Sequence, residues 1–336
     1  MGLAGDIHSM KATFSSRSSV SALRRMVLIN LAVFAFSGCA GQGLKPGSST
    51  KIVGGASADA ASYHAVALFR PDGAGVSYVF CTGILVSPQH VLTAAHCSVG
   101  KDKTPIDTAQ LYVIAGRSQP EVSHQVAAAG GPTVQIGVRK LTVHPAFNAD
   151  AMGLDPDGVL KLKDASDLAV WELAQPVANI APAALWKDAD SLLLLQAKAT
   201  VTLAGFGQKS GWESPWAAHE FAVADTGYAT EYEQTKTELL PDSSGRMGKH
   251  LTLVSLPAVS AGEFFAGGKG QPDTCKGDSG GPVFAKAPSG QLLLLGLTSR
   301  GSSICQAGGV YTRVGAHLPW LEDIVGSPLT YGLSGS

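Results

Sequence analysis

The sequence predicts an all-β fold, and three features of composition and patterning carry that prediction. Charged residues make up only 15% of the chain while glycine supplies 40 of its 336 residues, a balance that suits a compact, turn-rich β protein better than a helical one. Long apolar runs at helical period are scarce. Short apolar runs punctuated by Gly and Pro are common instead. In chain order they are Tyr63–Phe69, Gly83–Val86, Leu111–Ile114, Val201–Ala204 and Leu292–Leu297, and each reads as a strand of a sandwich or barrel. One convincing amphipathic helix follows, His317–Val325, with Leu318, Leu321, Ile324 and Val325 on one face. Ser327–Ser336 reads as a disordered tail. Setting aside a leader of about 50 residues leaves room for one large domain or two small ones. The net charge of -1 gives no electrostatic reason to expect a nucleic-acid partner.

The leader occupies residues 1–40. Arg24 and Arg25 precede the apolar stretch Met26–Phe36, which is too short to span a bilayer and suits the core of a secretory signal. Ser37-Gly38-Cys39 follows and resembles a bacterial lipobox, in which the cysteine is lipidated and becomes the new N-terminus. Cys39 is therefore the expected lipid anchor, and ordinary signal cleavage after Ala40 is the alternative. Residues 41–51, GQGLKPGSSTK, form a polar Gly/Ser linker. Five cysteines, Cys39, Cys81, Cys97, Cys275 and Cys305, leave four for pairing if Cys39 carries lipid, and four allow three connectivities.

Three motifs carry chemistry. Gly277–Pro282 reads GDSGGP, Leu92–Cys97 reads LTAAHC and Asp167–Val170 reads DLAV. A serine hydroxyl is inert at neutral pH unless a base and an orienting acid stand beside it. Together the motifs resemble the active-site segments of the chymotrypsin-like, or trypsin-family, serine proteases, in that family's order His, Asp, Ser. Ile52–Gly55, IVGG, matches the family's mature N-terminus, and the resemblance runs to about Val325.

That resemblance implies two six-stranded antiparallel β-barrels, about 52–181 and 182–325, closed by a C-terminal helix over a peptidase domain of residues 52–325, with 326–336 as a tail. It implies Ser279 as nucleophile, His96 as general base and acid, and Asp167 as the group that orients His96. The N–H groups of Gly277 and Ser279 would bind the oxyanion. Cys81 would pair with Cys97, and Cys275 with Cys305, each bond worth about 3 kcal/mol. Phe265 stands where another frequent bridge of the family would place a Cys. Cleavage after Lys51 would free the Ile52 ammonium to pair with Asp278 and order the oxyanion hole.

The resemblance also implies specificity. Asp273, six residues before Ser279, would floor a pocket for Arg or Lys side chains. Gly301 and Gly309 would leave that pocket open, and the Ser299 backbone carbonyl would receive the substrate. Arg300 stands where the family usually has Trp, which puts the extended-site preference in doubt. Two insertions, Asn148–Ser166 and Gln208–His250, border or cover the site. Asp155-Pro156-Asp157-Gly158 in the first resembles a fragment of a calcium loop, and a solvated loop carrying Asp150 and Asp164 is the plainer reading. Glu121 stands alone where the family's calcium loop needs paired acids, so no metal and no cofactor are expected. The expected protein is an exported, monomeric serine endopeptidase acting on protein or peptide substrates. A protease-like adhesion protein without catalysis and an esterase are the alternatives. The first is disfavoured by an intact set of His96, Asp167 and Ser279, the second by Asp273.

Overall fold

Sixteen strands and two helices make up the described chain. The structure, a computed structural model, describes residues 52–332 apart from 72–76, 119, 121–133, 154–160, 162, 197–198, 209–221, 227, 230–231, 242–246, 257–260, 268–270, 302–304 and 306–307. Cys39, Lys51, Glu121 and the Asp155–Gly158 turn thus lie outside the described residues. The strands of the first half are β1 (Ala56–Ser57), β2 (Ala65–Pro71), β3 (Ser77–Ser87), β4 (His90–Thr93), β5 (Tyr112–Ala115), β6 (Val134–Val143) and β7 (Ala169–Leu173). Helix α1 (Asp188–Gln196) then leads to β8 (Val201–Gly205), β9 (Ala222–Thr226), β10 (Tyr228–Ala229), β11 (Tyr232–Pro241), β12 (Met247–Leu256) and β13 (Glu263–Ala266). The chain finishes through β14 (Pro282–Lys286), β15 (Leu292–Gly301), β16 (Gly309–Arg313) and helix α2 (Leu318–Val325).

The first half closes. Strands β2-β3-β4-β7-β6-β5 form a barrel with every neighbour antiparallel. Both faces of its strands are covered, which is why β2 reads as a continuous apolar run rather than an alternating one. Val66 and Leu68 pack with Leu85, Val113 and Trp171. Ala65, Ala67 and Phe69 join a second cluster that continues into Phe206, Phe284 and Leu294 of the second half. The buried Trp171 donates its indole N–H to Ser98 Oγ at 2.8 Å, so its one polar atom is satisfied.

The second half corrects the expectation of two closed barrels. It is an open eight-stranded sheet, in the order β1-β9-β8-β14-β15-β16-β13-β10. β9 continues the ladder from β8, β10 pairs with β13, and the long β11–β12 hairpin pairs only with itself among the described residues. The expected barrel boundary at residue 52 also moves. β1 pairs with β9, and Val53 bridges Asp273, so the start of the 52–325 domain belongs to the second sheet.

The ends of the chain depart from expectation in a second way. Residues 327–332 are not a loose tail: Leu185 N donates to Thr330 O at 2.8 Å, Gly332 N donates to Leu185 O at 3.1 Å, and Leu329 is buried. The last residues are held because they add a short strand-like bridge to the connection between the two halves. Helix α2 starts at Leu318, one residue later than the pattern suggested, after a tight turn over Val314–His317, with Pro319 in its first turn and Gly326 at φ +64° ending it. Leu318, Leu321 and Val325 face the core.

Candidate active site

The pairing of β4 with β7 brings the first two site residues together. Thr93 lies opposite Ala169, so the chain leaving β4 and the chain entering β7 emerge at the same end of one ladder. His96 is three residues past Thr93, in a tight helical turn over Ala95–Cys97, and Asp167 lies two residues before Ala169. His96 Nδ1 is 2.8 Å from Asp167 Oδ2, and the His96 backbone N–H donates to Asp167 Oδ1 at 2.9 Å. The Ser299 hydroxyl donates to Asp167 Oδ2 at 2.7 Å. Asp167 is fully buried, whereas the His96 ring is 28% exposed.

These contacts decide the charge states. Burial alone would raise the Asp167 pKa, but the nearby His96 charge and three hydrogen bonds hold it below the usual carboxylate range. Loss of solvation penalises the His96 cation. Asp167 more than offsets that through charge and hydrogen bonding, Arg300 acts the other way, and the His96 pKa ends above its ordinary value. The arrangement is a histidine held in one orientation and one tautomer by a carboxylate that stays ionised.

Ser279 sits in a tight turn that packs against the same corner. Gly277 has φ +97° and Gly280 has φ +75°, conformations that glycine adopts at little cost. A Cβ on Gly280 would lie 2.0 Å from Thr93 Oγ1 and 2.7 Å from Ala94 N, so the turn touches the segment that leads to His96. The Ser279 carbonyl accepts from Thr82 N at 2.8 Å, and Gly280 N donates to Thr298 O at 2.8 Å. The Ser279 side chain is half-buried. Among the described residues the N–H groups of Gly277 and Ser279 donate to no other group, which leaves them open to an incoming oxygen.

Both disulfides that the resemblance implies are present. Cys81 pairs with Cys97, next to His96, and Cys275 pairs with Cys305, across the turn that holds Ser279. Cys81, His96 and Cys97 are a cluster of metal-ligating types, but its two sulfurs are bonded to each other. Phe265 is buried at the position with no cysteine.

Asp273, six residues before Ser279, and Asp278, immediately before it, are both fully buried. Asp273 Oδ1 accepts from Thr274 N at 2.8 Å and Oδ2 from Gly308 N at 3.2 Å. Gly301 and Gly309 stand opposite each other on β15 and β16, close to this carboxylate, since Gly308 is the residue that bonds it. A Cβ on Gly309 would meet Tyr311 Oη at 2.9 Å, and that hydroxyl is 3.2 Å from Thr274 Oγ1. Asp278 Oδ1 accepts from Gly207 N at 2.7 Å and Oδ2 from Cys275 N at 2.8 Å. Burial, reinforced by the charge of Asp273, raises the Asp278 pKa to about 7 despite those bonds. Ile52 is fully buried among Leu203, Phe264 and Tyr311.

Thr82, the hydroxyl role of Ser299 and Glu263 escaped the sequence reading. The Thr82 hydroxyl donates to Gly277 O at 2.9 Å and accepts from Phe206 N at 3.1 Å, tying the Ser279 turn to the segment just past β8. The Ser299 hydroxyl, rather than its carbonyl alone, takes part in the site. Glu263 is buried at the start of β13 and bonds Arg300. An acidic residue opening the apolar run EFFA was the available signal for the last. Arg300 itself is buried, so it presents neither an indole nor a charge to the surface beside Ser299. Asp164 is likewise engaged rather than solvated: its Oδ1 accepts from Ser166 N at 2.8 Å.

The fold and this corner define a class. The family model for trypsin matches residues 52–321, and the chain belongs to the trypsin family of chymotrypsin-like serine proteases. It is similar to phenoloxidase-activating factor 3 of Holotrichia diomphalia, 29% identical over 82% of this chain and 72% of that protein. It is also similar to a trypsin of Saccharopolyspora erythraea, 30% identical over 81% of this chain and 97% of that one. Human chymotrypsin-like elastase family member 1 is 26% identical over 84% of this chain and 95% of its own length.

Proposed function

We propose that this protein is an active endopeptidase that cleaves after Arg and Lys through an acyl-enzyme. The observation that supports this most is the buried, ionised Asp167 bonded to both the ring and the backbone of His96. In this reading Ser279 attacks the scissile carbonyl, His96 takes its proton and returns it to the leaving amine, and Asp167 stabilises the imidazolium. The N–H groups of Gly277 and Ser279 receive the oxyanion. Water then attacks the acyl-enzyme by the reverse proton path and frees the enzyme.

Asp273 supports the preference for a cationic side chain. It is a fully buried carboxylate that accepts N–H bonds from Thr274 and Gly308 beside the facing Gly301 and Gly309, so a guanidinium or ammonium entering between those glycines would meet a negative group. The Ser299 carbonyl would receive the substrate backbone. Cleavage after Lys51 would activate the chain by delivering the Ile52 ammonium to Asp278. The cut would also release the enzyme from a lipid on Cys39, giving a monomeric protease of the envelope or its surroundings that needs no cofactor.

Hydrolysis of Arg, Lys and Phe peptide amides by the cut protein tests the reading, together with labelling of Ser279 by a fluorophosphonate. Turnover of Arg and Lys amides that vanishes in Ser279→Ala is the expected result. Equal rates on Phe and Arg substrates would remove Asp273 from its role, and an unlabelled Ser279 in cut protein would remove the catalytic reading.

A further inference from the structure

Arg300 and Glu263 form a buried charge pair that the proposed reaction leaves unused. Their side chains are 4% and 0% exposed, and they meet face to face, Nη1 to Oε1 at 2.7 Å and Nη2 to Oε2 at 2.9 Å. A bidentate pair of this kind fixes both planes. Neither charge is idle toward its surroundings. Glu263 Oε1 also accepts the Ala165 N–H at 3.0 Å. Arg300 Nη2 lies 3.4 Å from Lys161 O and 3.3 Å from Lys163 O, and Nη1 lies 3.5 Å from Ser299 Oγ. The pair therefore grips the loop that ends at Asp167 and touches the hydroxyl that bonds Asp167 from the other side.

That loop needs gripping. Ser166, immediately before Asp167, sits at φ +44°, a left-handed conformation that a serine adopts at a cost. Ala165 is pinned through both of its backbone polar groups, its N–H on Glu263 and its carbonyl accepting from Asn148 N at 2.8 Å. Ser166 N is held by Asp164 Oδ1, and Leu168 N turns back to Ser166 O at 2.9 Å. Glu263 on β13 and Arg300 on β15 thus brace, from the second sheet, a bend that belongs to the first barrel.

We propose that Arg300 and Glu263 form a positioning pair for Asp167: the ion pair locks the 161–166 loop and sets a cation, rather than an aromatic ring, behind the histidine–aspartate couple. This rests on His96 and Asp167 acting as proposed above. The cation faces the couple because the guanidinium lies between Glu263 and Ser299. The charged groups that act on His96 among the described residues are Asp167, from the segment before β7, and Arg300, from β15, with Glu263 behind Arg300. Asp167 favours the His96 cation and Arg300 disfavours it, so the pair keeps His96 a usable base at lower pH than Asp167 alone would allow.

The test is the acid limb of kcat/KM in cut protein, read beside the NMR titration of the His96 Cε1–H, which needs no turnover. Arg300→Gln leaves Glu263 negative and should move the His96 titration up by about 0.5 to 1 pH unit. Glu263→Gln leaves Arg300 unopposed and should move it down. A guanidinium buried alone destabilises strongly, so Glu263→Gln can fail to fold. The double variant Arg300→Met, Glu263→Met replaces the pair by apolar groups of similar length and should fold. It should shift the titration upward by less than Arg300→Gln does. A purely structural brace predicts equal shifts, or none, in these variants, and that result overturns the proposal. If the unmodified cut protein turns over no substrate but the NMR shifts follow this order, the protease reading fails and the positioning pair stands.

Discussion

Asp167 and Asp278 are both fully buried, yet the two halves of the molecule hold them in opposite states. At the end of the closed barrel, Asp167 collects the His96 ring, the His96 backbone N–H and the Ser299 hydroxyl, and its pKa falls. In the open sheet, Asp278 receives two backbone N–H bonds with no cation bonded to it among the described residues, and its pKa rises to about 7. Gly205 and Gly207 leave no room for anything larger around it, since a Cβ on either would lie within 2.4 Å of the Asp278 side chain. One carboxylate is complete as it stands. The other is the group that, under the proposed function, the Ile52 ammonium would reach after cleavage. On that proposal, control of activity would reside at Asp278 rather than at Asp167.

The largest effect should come from the completed corner and the residue it serves. Ser279→Ala or His96→Ala should each lower kcat/KM on an Arg amide by roughly 10⁵-fold, with little further loss in the double variant, because such residues act as a unit. Additive losses, measured in the same assay, would break the comparison by showing that the corner is not one device. Asp273→Ser should come next, lowering the preference for Arg over Phe amides by roughly 10³-fold while Ser279 still labels at a normal rate.

Asp278→Asn should lower the activity of cut protein by roughly 10² to 10³-fold, the loss expected when a buried ion pair loses one member. In Lys51→Gln, which stays uncut, the same substitution should cost almost nothing in activity. Equal losses in both backgrounds would mean that Asp278 does not wait for a cation.

Stability against pH separates the two carboxylates in another way. In uncut, Ser279→Ala protein the folded Asp278 holds a proton up to about pH 7 that the unfolded chain releases near 3.8. Its contribution to stability is therefore greatest below pH 3.8 and declines as the pH rises to about 7, by about 4 kcal/mol. Asp167, whose pKa is lowered, contributes above pH 3.8 and loses that contribution as the pH falls below it. Urea midpoints at pH 4.5 and 7 should show the Asp278 decline, and Asp278→Asn should flatten it. The smallest effect belongs to the C-terminal segment. Leu329→Ala should cost about 2 kcal/mol in urea unfolding without moving kcat, since it empties a buried site remote from His96.

Much of this was legible in the sequence, for identifiable reasons. The apolar runs at Tyr63–Phe69, Gly83–Val86, Leu111–Ile114, Val201–Ala204 and Leu292–Leu297 each overlap an observed strand, with β2 starting two residues late at Ala65 and β5 one residue late at Tyr112, because both faces of those strands are largely covered. Helix α1 was missed because Leu192–Leu195 is a solid block with no helical spacing, and Leu193 is 62% exposed. The open second sheet was missed because strand count is a property of pairing partners, and the β11–β12 hairpin satisfies its own backbone. The sequence marked Arg300 only as a departure from the family's usual Trp and named no partner for it. Its partner Glu263 lies on another strand, and no local pattern joins the two.

The strap at residues 52–57 has a consequence for how the molecule is made. Val53 exchanges both backbone hydrogen bonds with Asp273, and Ala56 lies opposite Val223. The chain is synthesised from its N-terminal end, so this strap exists long before the residues that receive it. The six-stranded barrel can close while the rest is still being added, whereas Ile52 has no burial site until residue 273 has appeared. A nascent chain that stops short of β15 thus has the strands that carry His96 and Asp167 but neither the Ser299 hydroxyl nor the Glu263–Arg300 pair that complete that corner. Under the proposed function, the order of assembly leaves the reactive corner for last.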